Sequence, residues 1–142
     1  MRRGYVGAMT RLTFVNLPVR DIGATHAFWA SLGFSFNPEF SDEQALCMIV
    51  SDASFVMLLE ESFFRSFLPE GAPPTAAAGS EVITAVTVGS RQEADTLAEA
   101  ASAAGGRAVS TMDESGMYSR TVADLDDHLW EFVHMDMDAA NA

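Results

Sequence analysis

The stretch Asp124-Leu125-Asp126-Asp127-His128-Leu129-Trp130-Glu131-Phe132-Val133-His134 decides the reading of the fold. Its acidic first part predicts a tight turn, because short carboxylate side chains bond nearby backbone N–H groups. The bulky, aromatic and β-branched residues that follow predict a strand. Alternate strand residues point to opposite faces. His128, Trp130, Phe132 and His134 then share one face, and Leu129, Glu131 and Val133 the other. Glu131 is thus a carboxylate with apolar neighbours along its own strand. Burying such a group is costly unless it is paired, hydrogen-bonded or bound to a cation. Arg120 and Tyr118, on the strand just upstream, are the expected partners. If they do not pair with it, Glu131 is a general base or a ligand acceptor, since an acid in apolar surroundings is suited to proton transfer.

Working outward, Met117 to Ala123 and Arg107 to Met112 predict two more strands. Gly105-Gly106 closes a helix running from Arg91 to about Ala104, with Ala94, Leu97, Ala98 and Ala101 at helical spacing. Ser90 and Glu93 have the spacing of a capping box. Val82 to Val88 is a β-branched strand. Before it, Pro69 to Ser80, with Pro73-Pro74 and an Ala/Gly run, reads as a linker. The first half has the same order. Leu12 to Leu17 is a strand ended by Pro18, Asp21 caps a helix to Leu32, and Gly33 closes it. Phe34 to Phe36, Gln44 to Val50 and Phe55 to Leu59 are strands. Phe63, Phe64 and Phe67 form an apolar segment that is either a plug, a dimer contact or a lid over a pocket.

The expected fold class is therefore α+β: two tandem βαβββ modules forming a curved mixed sheet around a cleft, with helices outside. Residues 1–142 form one domain, with module one at about 11–68, the linker at about 69–80 and module two at about 81–136. A unit of this kind cannot bury its own face, and pairing two units solves that.

Composition narrows the partners. The formal charge is −12, with 20 acidic residues against eight arginines and no lysine. Such a surface repels phosphate backbones and anionic membranes and attracts cations. No stretch approaches the roughly 18 apolar residues of a membrane span. Met1 to Thr10 lacks a signal-peptide core. The single cysteine, Cys47, rules out an internal disulfide and suits a reducing compartment. A cytoplasmic protein that binds neither nucleic acid nor membrane is expected.

The element order and several motifs resemble the vicinal oxygen chelate superfamily, which includes glyoxalase I, bleomycin-resistance proteins and extradiol dioxygenases. Phe14-Val15-Asn16-Leu17-Pro18-Val19-Arg20-Asp21, Phe28-Trp29 and Leu32-Gly33-Phe34 carry the likeness in the first half. Met117-Tyr118-Ser119-Arg120 and Asp124 to Glu131 carry it in the second. The likeness is greatest to small bacterial glyoxalase-like proteins called predicted lactoylglutathione lyases. The resemblance implies metal ligands on the first and last strands of each module. These positions fall on Phe14, Met57, Ile83 and Glu131, and only Glu131 offers a donor suited to a hard or borderline divalent cation. No cofactor is expected, a divalent metal being the alternative if the strand register differs.

The resemblance further implies a site between subunits of a homodimer. The expected function is metal-free binding of a small organic molecule, cationic or aromatic, in the cleft. The expected ligand-binding set is Asn16, Phe14, Met57, Ile83, Arg120 and Tyr118, with either Trp29 or the Phe63, Phe64 and Phe67 group near the cleft edge and Glu131 the candidate catalytic group. The alternatives are a lyase or dioxygenase using Glu131, with or without a divalent metal, and a non-catalytic paralogue. His128 and His134 flank Glu131 as H-x-x-E-x-x-H. On a strand they point away from it, so the three cannot chelate together. Cys47, in an apolar strand, is expected to be a core residue.

Overall fold

Strand β8 (Leu129–Met135) is the hub of the second half. It pairs in parallel with β5 (Ile83–Thr87) on one side and antiparallel with β7 (Met117–Ala123) on the other. The outer strand β6 (Arg107–Glu114) completes a four-stranded mixed sheet in the order β5-β8-β7-β6. The first half repeats this plan. Strands β1 (Thr13–Val19), β2 (Ser35–Phe36), β3 (Ala45–Ile49) and β4 (Ser54–Glu60) assemble as β1-β4-β3-β2, with β1 and β4 parallel. The computed structural model describes residues 11–71 and 80–136. Most of the expected linker, and the residues preceding Arg11, lie outside them.

Helix α1 (Ile22–Ser31) covers the first sheet and α3 (Arg91–Ala103) the second. Both begin as the sequence predicts. The Asp21 carboxylate accepts the Ala24 N–H at 3.0 Å. Ser90 Oγ accepts the Glu93 N–H at 3.0 Å, while the Glu93 carboxylate reaches back one residue further, to the Gly89 N–H at 2.8 Å. Gly33 and Gly105 end the two helices with φ of 94° and 105°, a conformation a Cβ disfavours.

The two sheets do not join into one. The modules meet instead through their helix-covered faces. One buried cluster takes Leu17, Trp29, Met48 and Leu58 from module one and Ala98, Val122, Trp130 and Phe132 from module two. Trp29 of α1 lies 4.3 Å, centroid to centroid, from Trp130 of β8. The small alanines of α3 permit this closeness, because Ala94, Ala98 and Ala101 are fully buried.

One local expectation is corrected. Pro18 does not end β1 but lies inside it, opposite Leu59 of β4. This is tolerated because β1 is an edge strand, where a missing N–H breaks no ladder bond. The apolar segment after β4 begins as the short helix α2 (Glu61–Arg65).

Candidate functional site

Each sheet has one face against its helix and one face away from it, the face expected to line a cleft. Register places Glu131 on the cleft face of β8, opposite Ala85 on β5 and Thr121 on β7. Thr121 in turn lies opposite Ser110 on β6. Ser119 and Thr87, each opposite Val133, share this face. Directly opposed residues have Cβ atoms about 5 Å apart. The surroundings of Glu131 are therefore apolar along its own strand but rich in hydroxyls across the sheet. Glu131 is partly exposed, and its carboxylate has no hydrogen bond or ion pair among the described residues.

Arg120 and Tyr118 do not serve it. They lie opposite Phe132 and His134, so both point to the helix side of the sheet. There the Tyr118 hydroxyl donates to the Asp95 carboxylate of α3, and Arg120 Nη1 donates to the same oxygen at 2.8 Å. The Arg91 guanidinium sits over the Tyr118 ring at 4.3 Å and bonds both oxygens of Asp113, at 3.1 and 2.5 Å. The Tyr118 hydroxyl, then Arg120, hold the Asp95 carboxyl below its ordinary range. The bond to Asp95 raises Tyr118. A hydroxyl raised in this way is a poor nucleophile, and this cluster fastens α3 to β7. The expectation that Arg120 and Tyr118 line the cleft with Glu131 does not fit this register.

The acidic turn joins the modules. Asp124 Oδ1 accepts the N–H groups of Asp126 and His128 at 2.8 and 3.0 Å, and Oδ2 accepts Trp130 Nε1–H at 2.9 Å. Burial pushes the Asp124 carboxyl above its ordinary value. His128 Nε2 stands 2.6 Å from the Pro18 carbonyl of module one. A carbonyl only accepts, so Nε2 carries the proton. Arg20 of module one donates to the Asp126 carboxylate through its backbone N–H and Nε, at 3.0 and 2.9 Å, and through Nη2 to the Leu125 carbonyl. Asp127 occupies the left-handed region at φ 64°, where a glycine would be easier.

On module one the cleft face carries Phe14 and Asn16 of β1 with Phe55, Met57 and Leu59 of β4. Phe14 stacks on Phe55, with centroids 5.0 Å apart. Trp29 is not near the cleft edge, being wholly buried between the modules. Cys47 is buried too, and burial raises its thiol, so it is an inert core residue. Asn16, Leu59, Phe64, Phe67 and Leu68 line a pocket of about 270 Å³ beside α2.

The four positions implied for metal do not form a donor set. Phe14 lies opposite Phe55, Met57 opposite Asn16, Ile83 opposite Leu129 and Glu131 opposite Ala85. Among the described residues no three His, Cys, Asp or Glu side chains come together. One carboxylate beside two hydrocarbon side chains and a thioether does not fit a zinc-type or other divalent site.

Sequence reading missed three features. The hydroxyls across from Glu131 belong to other strands and need the register. Asp95 as the partner of Arg120 needs the packing of α3. Leu59 and Leu68 become pocket walls only when α2 folds back. For the role of Asp124 a local signal existed, since an Asp two residues before a turn N–H is an Asx-turn pattern.

A family model for the bleomycin resistance protein-like N-terminal region matches residues 11–51. No curated protein matches the chain. Solved structures do. A hypothetical protein from S. aureus is 24% identical, covers 92% of this chain and 98% of its own, and superposes with a TM-score of 0.70. A glyoxalase/bleomycin resistance protein/dioxygenase family enzyme from Burkholderia phytofirmans PsJN is 18% identical over 89% of this chain and 99% of its own, with a TM-score of 0.74. The fosfomycin resistance protein FosX from Listeria monocytogenes is 17% identical over 93% of this chain and 98% of its own, with a TM-score of 0.63. Over both modules the chain therefore has the fold of the glyoxalase/bleomycin resistance protein/dioxygenase structures, and its residues 11–51 match the bleomycin resistance protein-like N-terminal model.

Proposed function

We propose that this protein binds a small organic cation on the cleft face of module two, with Glu131 as the anchoring carboxylate and no metal in the site. The observation that carries this is that the Glu131 carboxylate has no partner among the described residues. The chain has no lysine, and module two's three arginines are engaged elsewhere: Arg120 with Asp95, Arg91 with Asp113 and Arg107 with Asp127. A half-buried carboxylate without an internal partner favours an external cation. Thr121, Thr87 and Ser110 supply hydroxyls around it, and Leu129, Val133 and Ile83 supply apolar area. An ammonium on an aromatic or aliphatic body matches that surface.

We further propose that two copies of the chain complete the cleft. The edge strands β1 and β5 expose Leu12 and Phe14, and Ile83 with the adjacent Val82. Apolar residues on unpaired strand edges favour self-association. Sedimentation should show a dimer, and Phe14→Glu should shift it to monomer. A wild-type monomer at every concentration overturns the two-copy cleft.

Thermal-shift screening with cationic glycopeptides and aryl ammonium compounds tests the ligand class. At least one should raise the melting temperature of the wild type, and Glu131→Gln should lose that gain. No gain from any of them, or a gain that survives Glu131→Gln, overturns the proposal. Elemental analysis of protein purified without chelator is the companion measurement. A stoichiometric divalent ion would favour a lyase or dioxygenase instead.

A further inference from the structure

The seam between the modules opens as a pocket of about 210 Å³, lined by Arg20, Asp21, Ala24 and Thr25 of module one and by Leu125 and Asp126 of module two. None of these residues lies on a strand, so the pocket is apart from the sheet faces and from Glu131. We propose that it binds a free α-amino acid with a small side chain, as the zwitterion, and that the ligand bridges the two modules. Arg20 takes the carboxylate, Asp126 takes the ammonium, and the Thr25 hydroxyl donates to the carboxylate.

The buried hydroxyl points to a ligand. Thr25 is only 4% exposed, yet its hydroxyl has no hydrogen-bond partner among the described residues. A helical threonine can bond the carbonyl four residues back. Here the Asp21 carbonyl takes the Thr25 N–H, at 2.9 Å, and not the hydroxyl. Leaving such a group unsatisfied costs free energy that a bound acceptor recovers.

Arg20 and Asp126 place opposite charges side by side. The Asp126 side chain is 10% exposed, and its Oδ1 accepts both the Arg20 backbone N–H and Nε, at 3.0 and 2.9 Å. Oδ2 accepts nothing among the described residues. On Arg20, Nε bonds Asp126 and Nη2 bonds the Leu125 carbonyl, which leaves Nη1 without a bond among the described residues. One acceptor and one donor of opposite charge therefore remain open.

This arrangement selects among ligands. A lone anion at Nη1 would face the Asp126 and Asp21 carboxylates, in a chain of formal charge −12. A lone cation at Oδ2 would face the Arg20 guanidinium. A zwitterion pairs with both through charge-assisted bonds. In an α-amino acid the two charged groups sit on the same carbon, which matches partners 2.9 Å apart. Ala24 and Leu125 give the side chain an apolar wall, and the small volume excludes a large one.

The test is an NMR titration of the full chain with L-alanine, set against propionate and ethylamine, which each carry one of its two charges. L-alanine should give saturable shifts at Thr25, Leu125 and Asp126, and each control should bind there about tenfold more weakly or worse. Thr25→Val removes a hydroxyl with no bond to lose among the described residues. It should keep or raise the melting temperature and weaken L-alanine about fivefold, the size of one net hydrogen bond. Asp126→Asn keeps an oxygen for Arg20 and should weaken L-alanine about tenfold, as a charged partner is lost. Glu131→Gln should leave L-alanine binding unchanged, so failure of the cation proposal leaves this one standing. The proposal is overturned by the absence of saturable shifts at these residues or by a control that binds there as tightly as L-alanine. A Thr25→Val variant that binds like the wild type, or melts well below it, also overturns it.

Discussion

The two faces of the second sheet carry comparable numbers of polar groups but use them differently. On the helix side, Tyr118, Arg120, Asp95, Arg91 and Asp113 satisfy one another, and Asp124 satisfies Trp130 and two backbone N–H groups. On the cleft side, Glu131 stands beside Thr121 with no partner among the described residues. Strand alternation alone separates them, since Arg120 and Thr121 are adjacent in sequence and face opposite ways. The difference teaches which polar residues belong to the fold. A group whose every bond is made within the chain is holding something in place. A carboxylate that the fold leaves without a partner is available for a ligand.

The comparison can be broken most severely at Asp124. Asp124→Ala would strand the Trp130 indole N–H and two backbone N–H groups in the interior. Each buried unsatisfied donor costs on the order of 1–3 kcal/mol, so a loss of at least about 3 kcal/mol is expected in urea denaturation. Asp124→Asn should also destabilise. It removes the buried charge, but its single oxygen cannot serve both the turn N–H groups and the indole N–H. A loss below about 1 kcal/mol for Asp124→Ala would show that the turn does not join the modules.

A smaller effect is expected at Asp95. Its carboxyl is held low in the folded protein, by the Tyr118 hydroxyl first and Arg120 second. The unfolded chain therefore binds the proton more readily. Its stabilising contribution is present above the ordinary aspartate value and is lost as pH falls through the lowered one. Asp95→Asn should flatten the stability profile on the acid side. Asp124 has the opposite sign, because burial raises its carboxyl, so protonation on acidification favours the folded state. An unchanged acid limb in Asp95→Asn would remove the Asp95 cluster from the account.

The smallest effect sharpens the contrast. Glu131→Leu takes away a carboxylate with no bond to lose among the described residues. Stability should stay within about 0.5 kcal/mol of the wild type or rise slightly. A loss above about 1.5 kcal/mol would mean that Glu131 has a structural partner after all.

Much of the architecture was legible beforehand. Gly33 and Gly105 at the helix ends and the Ser90–Glu93 cap are local signals, each with its own stereochemical cause. They recover the paired modules and their order. Individual partners were less legible. Arg120 and Tyr118 were adjacent to Glu131 in the neighbouring strand and of suitable chemistry, yet register turned them away. Trp29 was one of two candidates for the cleft edge, yet it became the contact between modules. Neither outcome is local, since both depend on which face of one element meets another.

By itself the sequence determined the alternation along β8 that puts Glu131 opposite in sense to His128, Trp130, Phe132 and His134. It also determined the absence of lysine and the lone hard donor among the four metal positions. Those follow from residue identity and the period of a strand. Only the tertiary structure decided that Asp95 takes Arg120, that Asp124 takes Trp130, and that Glu131 is left beside Thr121. The reason is that pairing is set by cross-strand register and helix docking, which bring together residues far apart in the chain.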